Sequence, residues 1–154
     1  MTKFSHTNPK GEVHMVSVTD KADVLRKAVA EGFIRLNTDC ISVISENKLK
    51  KGDVHALSRI SGINGAKKTS ELIILAHNIP VHGVEMEVIP ESEGIWVRCT
   101  AQSYGKTGVE MEALTGVSVA LLNIYDMCKS IDKQMEIGAI HLIEKTKKTK
   151  KASK

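Results

Sequence analysis

Residues 25–36 read LRKAVAEGFIRL, and the fold turns on how this stretch is taken. Ala28, Ala30, Ile34 and Leu36 are apolar at even spacing, with Lys27, Glu31 and Arg35 polar between them. That is the period of a strand with one buried face. Leu25, Val29, Phe33 and Leu36 also fall on a helical stripe, with Thr19 or Asp20 upstream as a cap. The strand reading is adopted here, and the rest of the chain is read around it.

Upstream, VHMVSV (13–18) alternates loosely and predicts another strand, while the polar residues 1–12 are expected to be disordered. Downstream, Thr38-Asp39 opens a short helix through Ile44. Gly52-Asp53 starts a longer one with Leu57, Ile60, Ile63 and Ala66 on one face. Two strands follow, VHGVEMEVI (81–89) and IWVRCTAQSY (95–104), joined as a hairpin through PESEG. An apolar helix runs from about Glu112 to Lys129, and a last strand from Ala139 to Glu144. Strands in hairpins beside a few helices predict an α+β domain, an antiparallel sheet with helices packed on one face.

The 154 residues fit one domain, placed at 13–145 between the disordered start and a lysine-rich tail at 146–154. Apolar residues make up 42% and aromatics 3%, so the core must be mostly aliphatic. No apolar run reaches the roughly 18 residues a membrane span needs. Three separated cysteines (Cys40, Cys99, Cys128) give neither a disulfide framework nor a zinc knuckle, and suggest a reducing, cytoplasmic setting. The net charge is +4, yet six lysines lie between Lys145 and Lys154, leaving the other residues at −2. The basicity belongs to a solvated tail. Without interleaved aromatics, it is a weak sign of nucleic-acid binding.

The apolar helix carries charge at both ends. Glu110 and Glu112 flank Met111 at its start, where carboxylates suit the helix dipole. Asp126 and Lys129, three residues apart, share a face at its end. An ordinary surface ion pair is the plain reading. Partial burial of Asp126, and a lysine with a lowered pKa acting as acid or base, is the sharper one. Lys51, in KKGD (50–53), stands in a loop before a helix start and could meet a phosphate. His77 ends an apolar run with no second histidine at metal-ligand spacing, so no metal site is expected.

Taken in order, KGDV from Lys51, RISGINGAKKTSELI from Arg59, the His77 turn, TGVEMEALTGVSVA from Thr107 and YDMCK from Tyr125 form a set. It closely resembles the cyclic pyranopterin monophosphate synthase family of molybdenum cofactor biosynthesis, from about Met15 to Lys145. The resemblance implies a ferredoxin-like α+β fold and a phosphorus–oxygen lyase. Its substrate is a cyclised guanosine triphosphate, rebuilt into a pyranopterin with a cyclic phosphate and release of pyrophosphate. It implies a homohexamer, a trimer of dimers, with active sites between subunits. It implies no cofactor, leaving room for a divalent cation such as magnesium beside the phosphates, and neither membrane nor nucleic acid as partner. Asp126, Lys129 and Lys51 match catalytic positions. Leu75, Ala76 and His77 match one substrate-binding segment, and Met111 and Glu112 another, with Glu110 beside them. Arg26 and Lys145 match further basic positions, Arg26 facing the triphosphate.

The chain departs from the family pattern in three places. Ala76 and Asn78 replace the usual Cys and Pro around His77, Ser17 stands where Asp is common, and TKKTKKASK replaces a glycine-rich ending. The first of these motivates a second reading, a catalytically silent paralogue that binds a phosphorylated ligand or serves as a scaffold subunit.

Overall fold

The computed structural model describes residues 6–149. Eight elements follow in order: β1 (Val24–Arg35), α1 (Thr38–Ser45), α2 (Val54–Lys67), α3 (Thr69–Leu72), β2 (Gly83–Glu91), β3 (Gly94–Gly105), α4 (Glu110–Cys128) and β4 (Glu136–Lys148). The stretch at 25–36 is a strand. It lies inside a four-stranded antiparallel sheet of order β2-β3-β1-β4, consistent with a ferredoxin-like arrangement.

The pleat explains the strand choice. Ala28, Ala30 and Ile34 pair with Ala101, Cys99 and Ile95 across β1 and β3, and all six are buried. They face α4, whose Ala113, Val117, Ala120, Leu121 and Ile124 are fully buried against them. A large aliphatic side chain buried in this way contributes roughly 1.5–3 kcal/mol. On the other face Phe33 meets Trp96, ring centroids 5.0 Å apart, and Arg98 pairs with Glu31 at 3.1 Å. The helical stripe of this segment was a by-product of that second face, which also carries apolar groups.

Helices α2 and α4 cross at small residues. A β-carbon on Gly62 would stand 3.1 Å from the Gly116 carbonyl oxygen, and one on Gly116 would stand 3.2 Å from the Gly62 carbonyl oxygen. The hairpin between β2 and β3 is tighter than expected, with Glu91 opposite Gly94 and Ser92-Glu93 alone in the turn.

The expected strand at 13–18 is not formed. Apart from one bridge between Thr7 and Val13, this segment pairs with no strand. The Val16 carbonyl instead accepts from His77 Nε2 at 2.7 Å. Its loose alternation reflects Val16 and Val18 turning toward a cavity wall rather than a ladder. Residues 6–12, read as disordered, here form a turn held by Asn8, whose Oδ1 accepts from the Lys10 and Glu12 amides. Residues 1–5 and 150–154 lie outside the described residues. The last strand is longer than 139–144. Leu25, Arg26 and Lys27 pair with Lys148, Lys147 and Thr146, so β4 takes in the first three tail positions.

Candidate active site

Helix α4 carries a polar cluster at each end. At its C-terminus, Asp126 Oδ1 lies 2.7 Å from Lys129 Nζ and its Oδ2 lies 3.0 Å from Lys51 Nζ. Lys51 Nζ also donates to the Asp126 backbone carbonyl at 2.6 Å. The local sequence puts Lys51 there. Gly52 takes a φ of +106°, open to glycine at little cost. Asp53 then caps α2, accepting from the Ala56 amide at 3.0 Å. The chain reverses between two short-range devices, and the Lys51 stem is left reaching across to α4.

A carboxylate in the last turn sits at the unfavourable end of the helix dipole. Two ammoniums offset this. The hydrogen bond from Lys129, then that from Lys51, hold the Asp126 carboxyl below its usual range. Asp126 in turn raises the Lys129 ammonium. Two expectations are corrected here. Asp126 is exposed rather than partly buried, with 60% of its side-chain surface accessible, and Lys129 shifts up rather than down. Both ammoniums are open to solvent.

At the other end of α4, a cavity of about 360 Å³ is lined by Leu75, Ala76, His77, Glu110, Met111 and Glu112. These are the six residues expected to bind substrate on the two family segments. Val16, Val18, Lys21 and His6 close the same cavity from the N-terminal segment. Glu112 is 4% exposed. Desolvation, with a smaller push from Glu110, raises its carboxyl above the ordinary glutamate range. Glu110 is shared with an adjoining cavity of about 260 Å³ that also holds Arg26, Lys145 and Lys147. Lys145 Nζ reaches Glu110 Oε1 at 3.5 Å, and Arg26 donates to the Lys106 carbonyl at 3.1 Å.

The candidate residues thus fall into two groups rather than one. Arg26, Leu75, Ala76, His77, Glu110, Met111, Glu112 and Lys145 meet at the start of α4. Lys51, Asp126 and Lys129 meet at its end. Along α4, Glu110 and Asp126 are 16 residues apart, so ~24 Å of rise separates the two groups. No helix of the described residues is long and apolar enough to cross a membrane. Among those residues no three His, Cys, Asp or Glu side chains are grouped to hold a metal ion.

Residues 15–148 match the profile of the MoaC family. This chain belongs to the MoaC family. Two relatives bear out the match over nearly the whole length. The cyclic pyranopterin monophosphate synthase of Peptoclostridium acidaminophilum is 48% identical over 144 residues, covering 94% of this chain and 92% of that protein. The protein of the same name from Dinoroseobacter shibae is 44% identical over 144 residues, covering 92% and 91%. The MoaC match begins at Met15 and ends at Lys148, the last residue of β4. Sequence reasoning missed the N-terminal wall of the cavity. The one signal for it is the half-alternating VHMVSV (13–18), a pattern that a strand shares.

Proposed function

We propose that this chain is a cyclic pyranopterin monophosphate synthase. It converts the cyclised guanosine triphosphate, 3',8-cyclo-7,8-dihydroguanosine 5'-triphosphate, to cyclic pyranopterin monophosphate and pyrophosphate in molybdenum cofactor biosynthesis. The observation that carries the reading is the Lys51–Asp126–Lys129 ion-pair cluster in a chain 48% identical to a synthase of that name.

The chemistry suits the residue types. Cyclising the phosphate breaks the bond to the leaving pyrophosphate and builds negative charge on it. Lys51 and Lys129 are placed to stabilise that charge. Asp126 orients both ammoniums and holds Lys129 protonated, ready to give a proton to a leaving oxygen or a ring atom. Glu110 and Glu112 offer carboxylate acceptors to the N–H edge of a purine-derived ring. Arg26 and Lys145 offer charge-assisted contacts to phosphate oxygens. No step needs a resident cofactor, and a magnesium ion would enter with the phosphates.

With ~24 Å between the two groups, one chain cannot present both to one small nucleotide. The site is therefore completed by a second copy, the end of α4 in one subunit facing the start of α4 in the next. Exposed apolar side chains fit this need: Ile74 is 91% exposed, Ile60 63% and Leu122 61%, and such surfaces mark contact faces. A hexamer built as a trimer of dimers would supply the interfaces. The free thiols Cys40, Cys99 and Cys128 fit the reducing cytoplasm.

The test is direct. Purified protein incubated with the cyclised nucleotide is expected to release pyrophosphate and yield a product that becomes a fluorescent pterin on oxidation. Binding of the nucleotide without pyrophosphate would support the silent-paralogue reading instead.

A further inference from the structure

We propose that Asp132, on the turn that follows α4, is a positioning residue: it latches the end of α4 to the start of α1 and thereby holds Lys129 and Asp126 level with Lys51. The inference rests on the reading of that trio as the catalytic end of the helix.

Three observations carry it. First, Asp132 is a carboxylate only 4% exposed. Burying such a group is costly unless its oxygens are matched, and here both are. Oδ2 accepts from the Asn37 amide at 2.7 Å, and Oδ1 accepts from the Gln134 amide at 2.9 Å. The bond to Gln134 would be enough to shape the turn. The bond to Asn37 spans 95 positions of chain and joins two helices.

Second, the latch closes a ring of contacts around the base of the cluster. Asn37 caps α1, its Oδ1 accepting from the Cys40 amide at 2.8 Å. The Cys40 thiol shares a hydrogen bond with the Cys128 thiol, and both residues are fully buried. Cys128 ends α4, and its carbonyl accepts from the Ile131 and Asp132 amides at 2.8 and 3.0 Å. Lys129 caps the helix inside this ring, its amide donating to the Tyr125 carbonyl at 2.9 Å. The Cys128 thiol feels the charges of both Asp132 and Lys51, so the latch lies close to the cluster.

Third, the cluster cannot hold itself. The Lys129 and Asp126 side chains are 58% and 60% exposed, and ion pairs so open to water constrain their partners weakly. Helix ends with few buried contacts also open locally. Yet the Lys51 ammonium meets the Asp126 backbone carbonyl at 2.6 Å, a contact that needs the last turn of α4 to keep its place. Asp132 supplies that constraint from the buried side.

The experiment uses the full chain, with the cyclised nucleotide for turnover and lysine NMR for Lys129. Asp132→Asn turns one acceptor into an NH2 donor facing an amide. It should lower kcat about ten- to hundredfold, the effect of a small misplacement, with KM nearly unchanged. In a Lys129→Ala background the same change should cost no more than about threefold, because the two residues act through one another. Lys129, held above the ordinary lysine range by Asp126, should lose its proton at lower pH in Asp132→Asn. Asn37→Ala is the control. It removes the α1 cap but keeps the amide that Asp132 binds, so it should lower Tm and leave both kcat and the Lys129 titration as in the wild type. If Asp132→Asn does not fold, Asp132→Ser replaces it, since a hydroxyl can still serve the Gln134 amide but not both amides at once. Unchanged kcat and Lys129 titration in the folded variant would overturn the latch. So would an equal loss of kcat in Asn37→Ala, or a full loss on top of Lys129→Ala. If the wild type released no pyrophosphate, the synthase reading would fall, and the Lys129 titration of wild type against Asp132→Asn would still decide the latch.

Discussion

Lys51 and Asp126 stand 75 positions apart in the chain, yet Lys51 Nζ contacts both the carboxylate and the backbone carbonyl of Asp126, at 3.0 and 2.6 Å. The contact joins the loop before α2 to the last turn of α4. It makes an acid and two ammoniums into one unit that neither segment could form alone.

Because both partners are more than 40% accessible, the unit adds little to stability; exposed pairs are typically worth about 0–1 kcal/mol. Asp126→Asn, Lys51→Ala and Lys129→Ala are each expected to melt within a few degrees of the wild type. Each is expected to lose about a hundred- to ten-thousandfold in turnover, the usual effect of removing a positioned acid, base or charge. Melting curves and pyrophosphate release on the same preparations check this pair of outcomes.

Glu112 predicts the opposite balance. Burial raises its carboxyl, so the folded state holds the proton more tightly than the unfolded chain. Stability is then greatest at low pH and declines as pH rises through the window between the ordinary glutamate value and the raised one. Above that window the penalty is constant. Glu112→Gln should remove it, raising Tm at pH 7 by about 2–4 °C per kcal/mol recovered and flattening the pH dependence of Tm, while KM worsens. An unchanged or lower Tm at pH 7 would contradict the burial argument.

The same two carboxyls set the acid side of the rate profile. Asp126 is held below its usual range by Lys129 and Lys51, so it stays ionised through mildly acid conditions. Glu112 protonates earlier as pH falls. The acid limb of kcat/KM should therefore lie above the ordinary glutamate value and appear in KM more than in kcat. A limb confined to the ordinary aspartate range would assign it to the wrong end of α4.

Helices α2 and α4 approach closely where Gly62 meets Gly116. Gly116→Val should be destabilising by about 1–3 kcal/mol, an overpacking cost, since even a β-carbon there meets Cys99 Sγ at 2.9 Å and the Gly62 carbonyl at 3.2 Å. Chemical denaturation measures it, and a neutral result would mean the helices separate freely.

Much of this was legible in the sequence. Alternation at Ala28, Ala30 and Ile34 gave the central strand, and the apolar run with charged ends gave α4 to within two residues. The hairpin followed from its two patterned strands. Two things were hidden. Residues 13–18 carry the alternation of a strand but satisfy it against a cavity, and nothing local distinguishes the two. The state of Asp126 was hidden as well, because its exposure and its second partner, Lys51, come from another part of the chain. The family pattern brought all eleven candidate residues into view. It could not show that one chain splits them between opposite ends of a helix.

That split is the central claim, and mixing two inactive proteins tests it most directly. Lys51→Ala lacks one cluster and His77→Ala weakens the other. Co-refolded in equal amounts, a site built from two copies regains its intact residues wherever a Lys51 donor faces a His77 donor. About a quarter of the sites in randomly paired dimers would be whole, so pyrophosphate release should recover to about that fraction of wild type. No recovery above either variant alone, with mixed oligomers shown to form, would contradict a site shared between subunits.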